Sequence, residues 1–401
     1  MTPAEASELR ARQRRRAIRG VRRSAVNALL RAAARTDGPT AKGLRVAARG
    51  LERTLKRAEH VLAPRRPRAP AIAGEWDAAR AVEEYATLAA SVAYRLVPVY
   101  QPLVLITQAP RSGGTLLMRL FDGHPECYAI PHELATLLPS GLPLPRDPEA
   151  AWKALDHPML ATWFTGGLRA GKGQLSDDRT RYRFLLPPLL QRRLFEHSLA
   201  ERRPDSDRGV LDCYLTSYFN AWLDYRGAPS PKWVTGFEPA AILQPERLQC
   251  FRTLYPDGRL VSVVRDPASW FVSAGRRNAR YQDRGVAVAT WRSSVETALR
   301  LREEQPARVA IVPFEALVGR TEETMRALAR FLEIEFREEL LAPTLNGQPT
   351  KANSSFPVEQ TGVIEAPLAR RDELAADDVA AIARELGALH TRALEAALVA
   401  G

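Results

Sequence analysis

Cysteine is scarce in this 401-residue chain: Cys127, Cys213 and Cys250 are the only three, and their spacing pairs none of them. That excludes a disulfide framework and a cysteine-built zinc site. Long apolar runs are missing as well. With no stretch of about 18 apolar residues, nothing reads as a membrane span, and the arginine-rich start lacks the apolar core of a secretory signal, so the sequence reads as cytoplasmic. Also absent are an internal repeat and the Gly-x-x-x-x-Gly-Lys-Ser/Thr spacing of a nucleotide triphosphatase loop.

Positive charge is in excess, but only at one end. The formal net charge is +12, yet residues 1–70 hold 19 Lys+Arg against 5 Asp+Glu, an excess of 14 that leaves the remainder at −2. This basic extension reads as helical. Ile18, Val21, Ala25, Leu29 and Ala32 share one stripe, and Leu44, Ala48, Leu51, Leu55, Ala58 and Leu62 share another beyond Asp37-Gly38-Pro39. Three uses fit: a solvated basic helix packed on its own enzyme, peripheral contact with an anionic membrane surface, or oligomerisation through the second stripe. No major-groove motif or aromatic interleaving accompanies the arginines, so specific nucleic-acid recognition ranks last. The Pro-rich stretch Pro64 to Pro70 is a stiff linker before a domain at residues 71–401, whose lead-in helix falls near Ala78 to Ala93.

Within that domain, Leu103 to Ile106 reads as a strand covered on both faces, and Thr115 to Phe121 as a helix ended by Gly123 and Pro125. Between them, Ser112, Gly113, Gly114 and Thr115 direct backbone N–H groups and two hydroxyls at one spot beside Arg111, where a helix terminus favours an anion. A second strand, Leu260 to Val264, runs into Arg265-Asp266-Pro267, with Ser273 eight residues beyond Arg265 on the following helix. That pattern brings a guanidinium and a helix start to the carboxyl edge of a sheet, where open α/β folds bind ligands.

Together these elements resemble the sulfotransferases that use 3′-phosphoadenosine 5′-phosphosulfate (PAPS). Pro110 to Leu117 is similar to the loop that grips the 5′-phosphosulfate in that family, with Arg111, Ser112, Gly113, Gly114, Thr115 and Leu116 as the binding residues. The stretch from Val263 to Ser273 resembles the element that binds the 3′-phosphate, through Arg265 and Ser273. Thr344 to Phe356, with Lys351, Asn353 and Ser354, is similar to the C-terminal loop that closes over the nucleotide in bacterial members. Gly114 departs from the commoner Ser-Gly-Thr-Thr and removes one hydroxyl contact. The resemblance implies an α/β fold of the P-loop-like, three-layer kind, with a central parallel sheet flanked by helices, and sulfuryl transfer from PAPS without a metal.

Arg111 is then the group that stabilises charge on the leaving oxygen. For the base that takes the acceptor's proton, Glu133 matches a glutamate that follows the His-Pro ending the loop helix in members acting on sugar or tyrosine hydroxyls. His132 is the rival, as a histidine titrating near neutral pH. His124 and His157, each followed by Pro, read as capping or core residues.

Further strands are expected at Val210 to Tyr214 and Val309 to Pro313, alternating with helices. Residues 145–205 interrupt that alternation with Trp152, Trp163, Phe164, a Gly-rich turn and the basic run Arg179 to Arg183, which reads as a helical lid or acceptor-binding insert. Trp222, Trp233, Trp270 and Trp291 read as core or pocket rim, and Glu315 as a loop or helix anchor. A helix is expected over Thr321 to Leu332 and another over Asp372 to Ala400. The leading reading is a PAPS-dependent sulfotransferase acting on a hydroxyl of a carbohydrate, lipid or small metabolite. The alternatives are a nucleotide-dependent kinase, which needs Mg²⁺ carboxylates and usually a loop Lys, and a membrane- or nucleic-acid-binding protein whose basic helices ride on an inert α/β scaffold.

Overall fold

The computed structural model describes residues 87–134, 142–169, 181–182, 184–350, 361–364 and 370–399, apart from 89, 92 and 94. The chain divides into two units, Met1–Asp77 and Ala78–Gly401. The basic stripes of residues 1–70, most of the lead-in helix, and Lys351, Asn353 and Ser354 lie outside the described residues.

Five parallel strands form the centre of the second unit: β1 (Leu103–Ile106), β2 (Cys127–Glu133), β3 (Trp233–Phe237), β4 (Arg259–Val264) and β5 (Val309–Pro313), in the spatial order β2-β3-β1-β4-β5. Their apolar runs are continuous because both faces are covered. Leu103 and Leu105 enter one core while Val104 and Ile106 enter the other, and β4 and β5 divide the same way, with Leu260, Val264, Val309 and Ile311 opposite Val261, Val263, Ala310 and Val312. Each large apolar side chain contributes about 1.5–3 kcal/mol on burial, so the four residues of β1 alone contribute as much as the net stability of many domains.

Helices cover both faces. One core is closed by α1 (Gly114–Leu120) together with later helices at Phe314–Gly319 and Thr321–Leu332; the latter matches the expected bounds. The other is closed by α2 (Pro148–Leu155), α3 (Leu160–Gly166), α4 (Pro188–Arg202), α5 (Asp207–Ala221), α6 (Pro245–Leu254), α7 (Pro267–Arg277), α8 (Arg284–Glu304) and a closing helix at Ala376–Glu395. The described part of residues 145–205 holds α2 to α4, and Trp152 of α2 sits with its ring 5.7 Å from that of Phe195 in α4 and 6.0 Å from that of Tyr214 in α5. Among the described residues, no helix is long and apolar enough to cross a membrane.

The expected strand at Val210 to Tyr214 is instead the middle of α5, started by the Ser206 side chain, which accepts a hydrogen bond from Gly209 N. This helix is buried along most of its length, so its short apolar run carries no helical period and imitates a buried strand. Two real strands carry features that mask them. Pro131 sits in β2, at the edge of the sheet, where the pairing with β3 shifts register between Ala129 and Glu133. β3 contains Gly236, where a Cβ would lie 2.6 Å from the Leu134 side chain.

Candidate active site

Strand order sets the site. From β1 the chain goes to the β2 side of the sheet, and from β4 to the β5 side, so the loops after these neighbouring strands part and leave a crevice at their carboxyl ends. The loop after β1 carries Arg111 and the element after β4 begins with Arg265. These two are brought together: Arg265 Nη1 donates to Arg111 O at 3.3 Å.

Several side chains fix the loop by its backbone. Ala109 N donates to Ser294 Oγ (2.9 Å) in α8, Trp270 Nε1 of α7 donates to Pro110 O (2.8 Å), and Trp291 Nε1 of α8 donates to Arg265 O (3.0 Å). Arg111 itself has φ +77°, the left-handed region that costs a non-glycine residue of the order of 1 kcal/mol or more and clusters at functional sites. Gly113 has φ +107°, and a Cβ there would lie 2.3 Å from the ring of Phe314. The same ring holds the Arg265 guanidinium 4.5 Å from its centroid, so glycine at 113 lets the loop settle against the residue that seats Arg265.

Gly114, the departure from the family pattern, has a local cause. A Cβ there would lie 2.2 Å from Gln108 Nε2 and 2.5 Å from Phe237 Cε2, so a larger residue would need both side chains to move. Ser112 departs from expectation too. Its hydroxyl is buried and donates to Ala109 O (2.8 Å), bracing the loop from inside instead of facing the spot beside Arg111. Thr115 and Leu116 are half-buried at the start of α1, with Leu116 N donating to Gly113 O (2.9 Å).

Positive charge is concentrated here. Burial, then Arg277 and Arg265, lower the pKa of Arg111 to about 10, and burial lowers that of Arg265, with Arg370 pressing the same way against Glu315 and Asp266. An anion between them would relieve both effects. Arg277, at the end of α7, and Arg370, whose N donates to Ser269 Oγ (3.2 Å), escaped the sequence reading because only the fold brings them near. Asp266 caps α7 by accepting from Ser269 N (2.7 Å), and Pro267 stands at its first position, as expected. Ser273 lies one turn beyond Ser269 on the buried side of that helix. Glu315 accepts a hydrogen bond from Asp266 N (3.1 Å), the anchor role expected of it.

Glu133 ends β2 at the same carboxyl edge, in register with Phe237 and exposed. Two strand spacings separate β2 from β1, so Glu133 stands roughly 10 Å across the edge from the loop. His132 is differently placed. It is 6% exposed, with Nδ1 2.9 Å from Glu133 O and Nε2 2.9 Å from Tyr218 Oη, and its ring lies 4.6 Å from His157 and 5.0 Å from Trp163. Burial, then His157, push it down to about 3, far below the range of a base working near neutral pH. His157 accepts from Met159 N (3.2 Å) and His124 from Glu126 N (3.2 Å), and both are buried, in keeping with the capping or core role expected of them.

The segment leading toward Lys351 is tied down at its base. Asp122 Oδ2, just after α1, accepts from Thr344 Oγ1 (2.6 Å) and Gly347 N (2.8 Å). Asn346 and Gly347, at φ +49° and +74°, turn the short pairing of Thr344–Leu345 with Gln348–Pro349. The Asn-Gly dipeptide was the unread signal for that hairpin.

Residues 102–338 match the family model described as the Sulfotransferase family. Similar solved structures include the sulfotransferase domain from the Curacin biosynthetic pathway, at 19% identity over 73% of this chain and 99% of that one, with a TM-score of 0.44. The sulfotransferase domain from the Synechococcus PCC 7002 olefin synthase is similar at 16% identity, over 73% and 96%, with a TM-score of 0.44. Sulfotransferase STF9 from Mycobacterium avium is similar at 15% identity, over 91% and 95%, with a TM-score of 0.39. No curated protein matches the chain.

Proposed function

This chain belongs to the sulfotransferase family, and from that premise we propose that the crevice between β1 and β4 takes PAPS and that Glu133 receives the proton of an acceptor hydroxyl. The single observation that carries the donor assignment is the seating of Arg265 against the Arg111 backbone, with Arg277 and Arg370 close enough to press on their charges. PAPS bears about four negative charges at two separated ends, a distribution that calls for separated cations and directed donors. Gly113, with no Cβ, lets the loop pack on the Phe314 ring that also seats Arg265. Lys351, Asn353 and Ser354 are proposed to complete the nucleotide site from the C-terminal loop.

Bound there, the donor supplies a sulfuryl group whose S–O bond to the 5′-phosphate breaks, leaving its electron pair on the bridging oxygen, as a new S–O bond to the acceptor forms. Glu133 takes the acceptor's proton. Arg111 and the N–H groups of residues 113–115 meet the charge that grows on the bridging oxygen. Arg265 and Ser273 hold the 3′-phosphate. The products are the sulfated acceptor and adenosine 3′,5′-bisphosphate. Glu133 is exposed at the carboxyl edge, where a hydroxyl of a carbohydrate, lipid or small metabolite is the proposed acceptor. The basic stripes of residues 1–70 are read as a surface for an anionic membrane face or a second copy of the chain, outside the transfer step.

Thermal unfolding with adenosine 3′,5′-bisphosphate, against AMP and ATP plus Mg²⁺, tests the donor assignment. At about 100 times its dissociation constant, the bisphosphate adds about 2.7 kcal/mol of stability. Equal stabilisation by AMP would overturn the role given to Arg265 and Ser273.

A further inference from the structure

The residue before the loop was not singled out by its sequence, and its surroundings are unusual. Gln108 follows β1 and is 1% exposed, yet neither its amide nitrogen nor its amide oxygen hydrogen-bonds any group among the described residues. Its backbone, by contrast, is held, with its carbonyl accepting from Ala240 N at 3.0 Å. An unbonded buried carboxamide is unfavourable, and an apolar side chain of the same length would be the more stable occupant.

Its position suggests what the carboxamide is for. The Cβ that Gly114 lacks would lie 2.2 Å from Gln108 Nε2 and 2.8 Å from its Cδ, so the amide rests against the loop exactly where α1 begins, in space that any side chain at 114 would fill. The ring edge of Phe237 bounds the same space, and Phe237 is the register partner of Glu133. Gln108 therefore lies between the loop that carries Arg111 and the strand pair that carries Glu133.

We propose that Gln108 is a further donor-contacting residue, whose carboxamide turns toward the loop and donates from Nε2 to an oxygen of the transferring sulfuryl group. The absent side chain at Gly114 is what lets the amide lie against the start of the loop helix. This assignment rests on the donor reading above. It differs from it in a testable way, because the contact is to the sulfuryl group alone, which adenosine 3′,5′-bisphosphate lacks.

The test compares binding of intact PAPS and of the bisphosphate to the full chain by displacement calorimetry, alongside thermal unfolding, for wild type, Gln108→Met and Gln108→Glu. Gln108→Met keeps length without donors. It should leave bisphosphate affinity unchanged, weaken PAPS roughly ten- to hundredfold, the worth of one hydrogen bond to a charged oxygen, and hold or raise the melting temperature. Gln108→Glu, which turns a negative group on the sulfuryl oxygens, should weaken PAPS further. A lowered melting temperature with both ligands weakened in parallel would make Gln108 a packing residue. Unchanged PAPS affinity would mean that an ordered water satisfies the amide, and would equally overturn the proposal. Wild-type chain that prefers neither ligand to AMP would instead overturn the donor reading itself.

Discussion

The two ends of the site are built from different materials. At the β1 and β4 end, the groups held in place are backbone carbonyls and amides, gripped by Ser294, Trp270, Trp291 and the Arg265 guanidinium from separate helices and strands. At the β2 end, the contacts are mainly ring to ring, with His157, Trp163, Phe184 and Tyr218 gathered around His132 of the edge strand. A backbone held by several elements keeps its shape when one side chain changes, whereas a pocket of rings changes shape with each substitution. The first arrangement suits a ligand of fixed shape, and the second one whose shape varies.

If the ends are separable, a change at one should leave the other untouched. The largest expected effect is at Glu133: Glu133→Gln should lower turnover by about 10² to 10⁴, as loss of a general base does, with bisphosphate affinity intact. Initial rates on an acceptor found with labelled PAPS, set beside calorimetry, measure both; a parallel fall in affinity would break the comparison. Next comes the opposite end. Arg265→Ala with Ser273→Ala should abolish the preference for bisphosphate over AMP, a change of roughly tenfold or more in the affinity ratio given that each bond to a charged group contributes about 1.5–3 kcal/mol. A preserved ratio would move the 3′-phosphate to Arg277 and Arg370.

A third effect is on stability and sharpens the contrast further. His132 is held near 3 in the folded chain, against about 6.5 when unfolded, so the unfolded state binds the extra proton. The stability this residue contributes is complete above about pH 6.5 and is lost as pH falls toward 3, by up to about 1.4 kcal/mol per pH unit. Melting temperatures from pH 7 to 4 should fall less steeply for His132→Gln than for wild type. Equal slopes would mean that the ring cluster opens to solvent.

What the sequence made legible follows the same division. The strand-loop-helix around Arg111 and the Arg265-Asp266-Pro267 start of α7 were readable because each is one continuous segment with its own turn and capping signals. Arg277, Arg370 and the ring of Phe314 were not, since separate elements bring them to Arg111 and Arg265. Burial misled in both directions: full burial gave α5 the look of a strand, and Pro131 and Gly236 took that look from β2 and β3. Gln108 was illegible for a different reason. A polar residue ending a strand is ordinary, and only the missing Cβ at 114 shows that the space beside it is shared.

The two indoles that clasp the Arg111 and Arg265 backbone also make the protein its own optical reporter. Of seven tryptophans, Trp270 and Trp291 hang by their N–H groups from carbonyls of Pro110 and Arg265, the residues on either side of the crevice. Indole emission responds to charge and solvent nearby, so a polyanion bound as proposed by the Arg111 and Arg265 guanidinium groups would change the intrinsic fluorescence of the chain. Ligand occupancy at this end can therefore be followed in real time, with no label and before any acceptor is known.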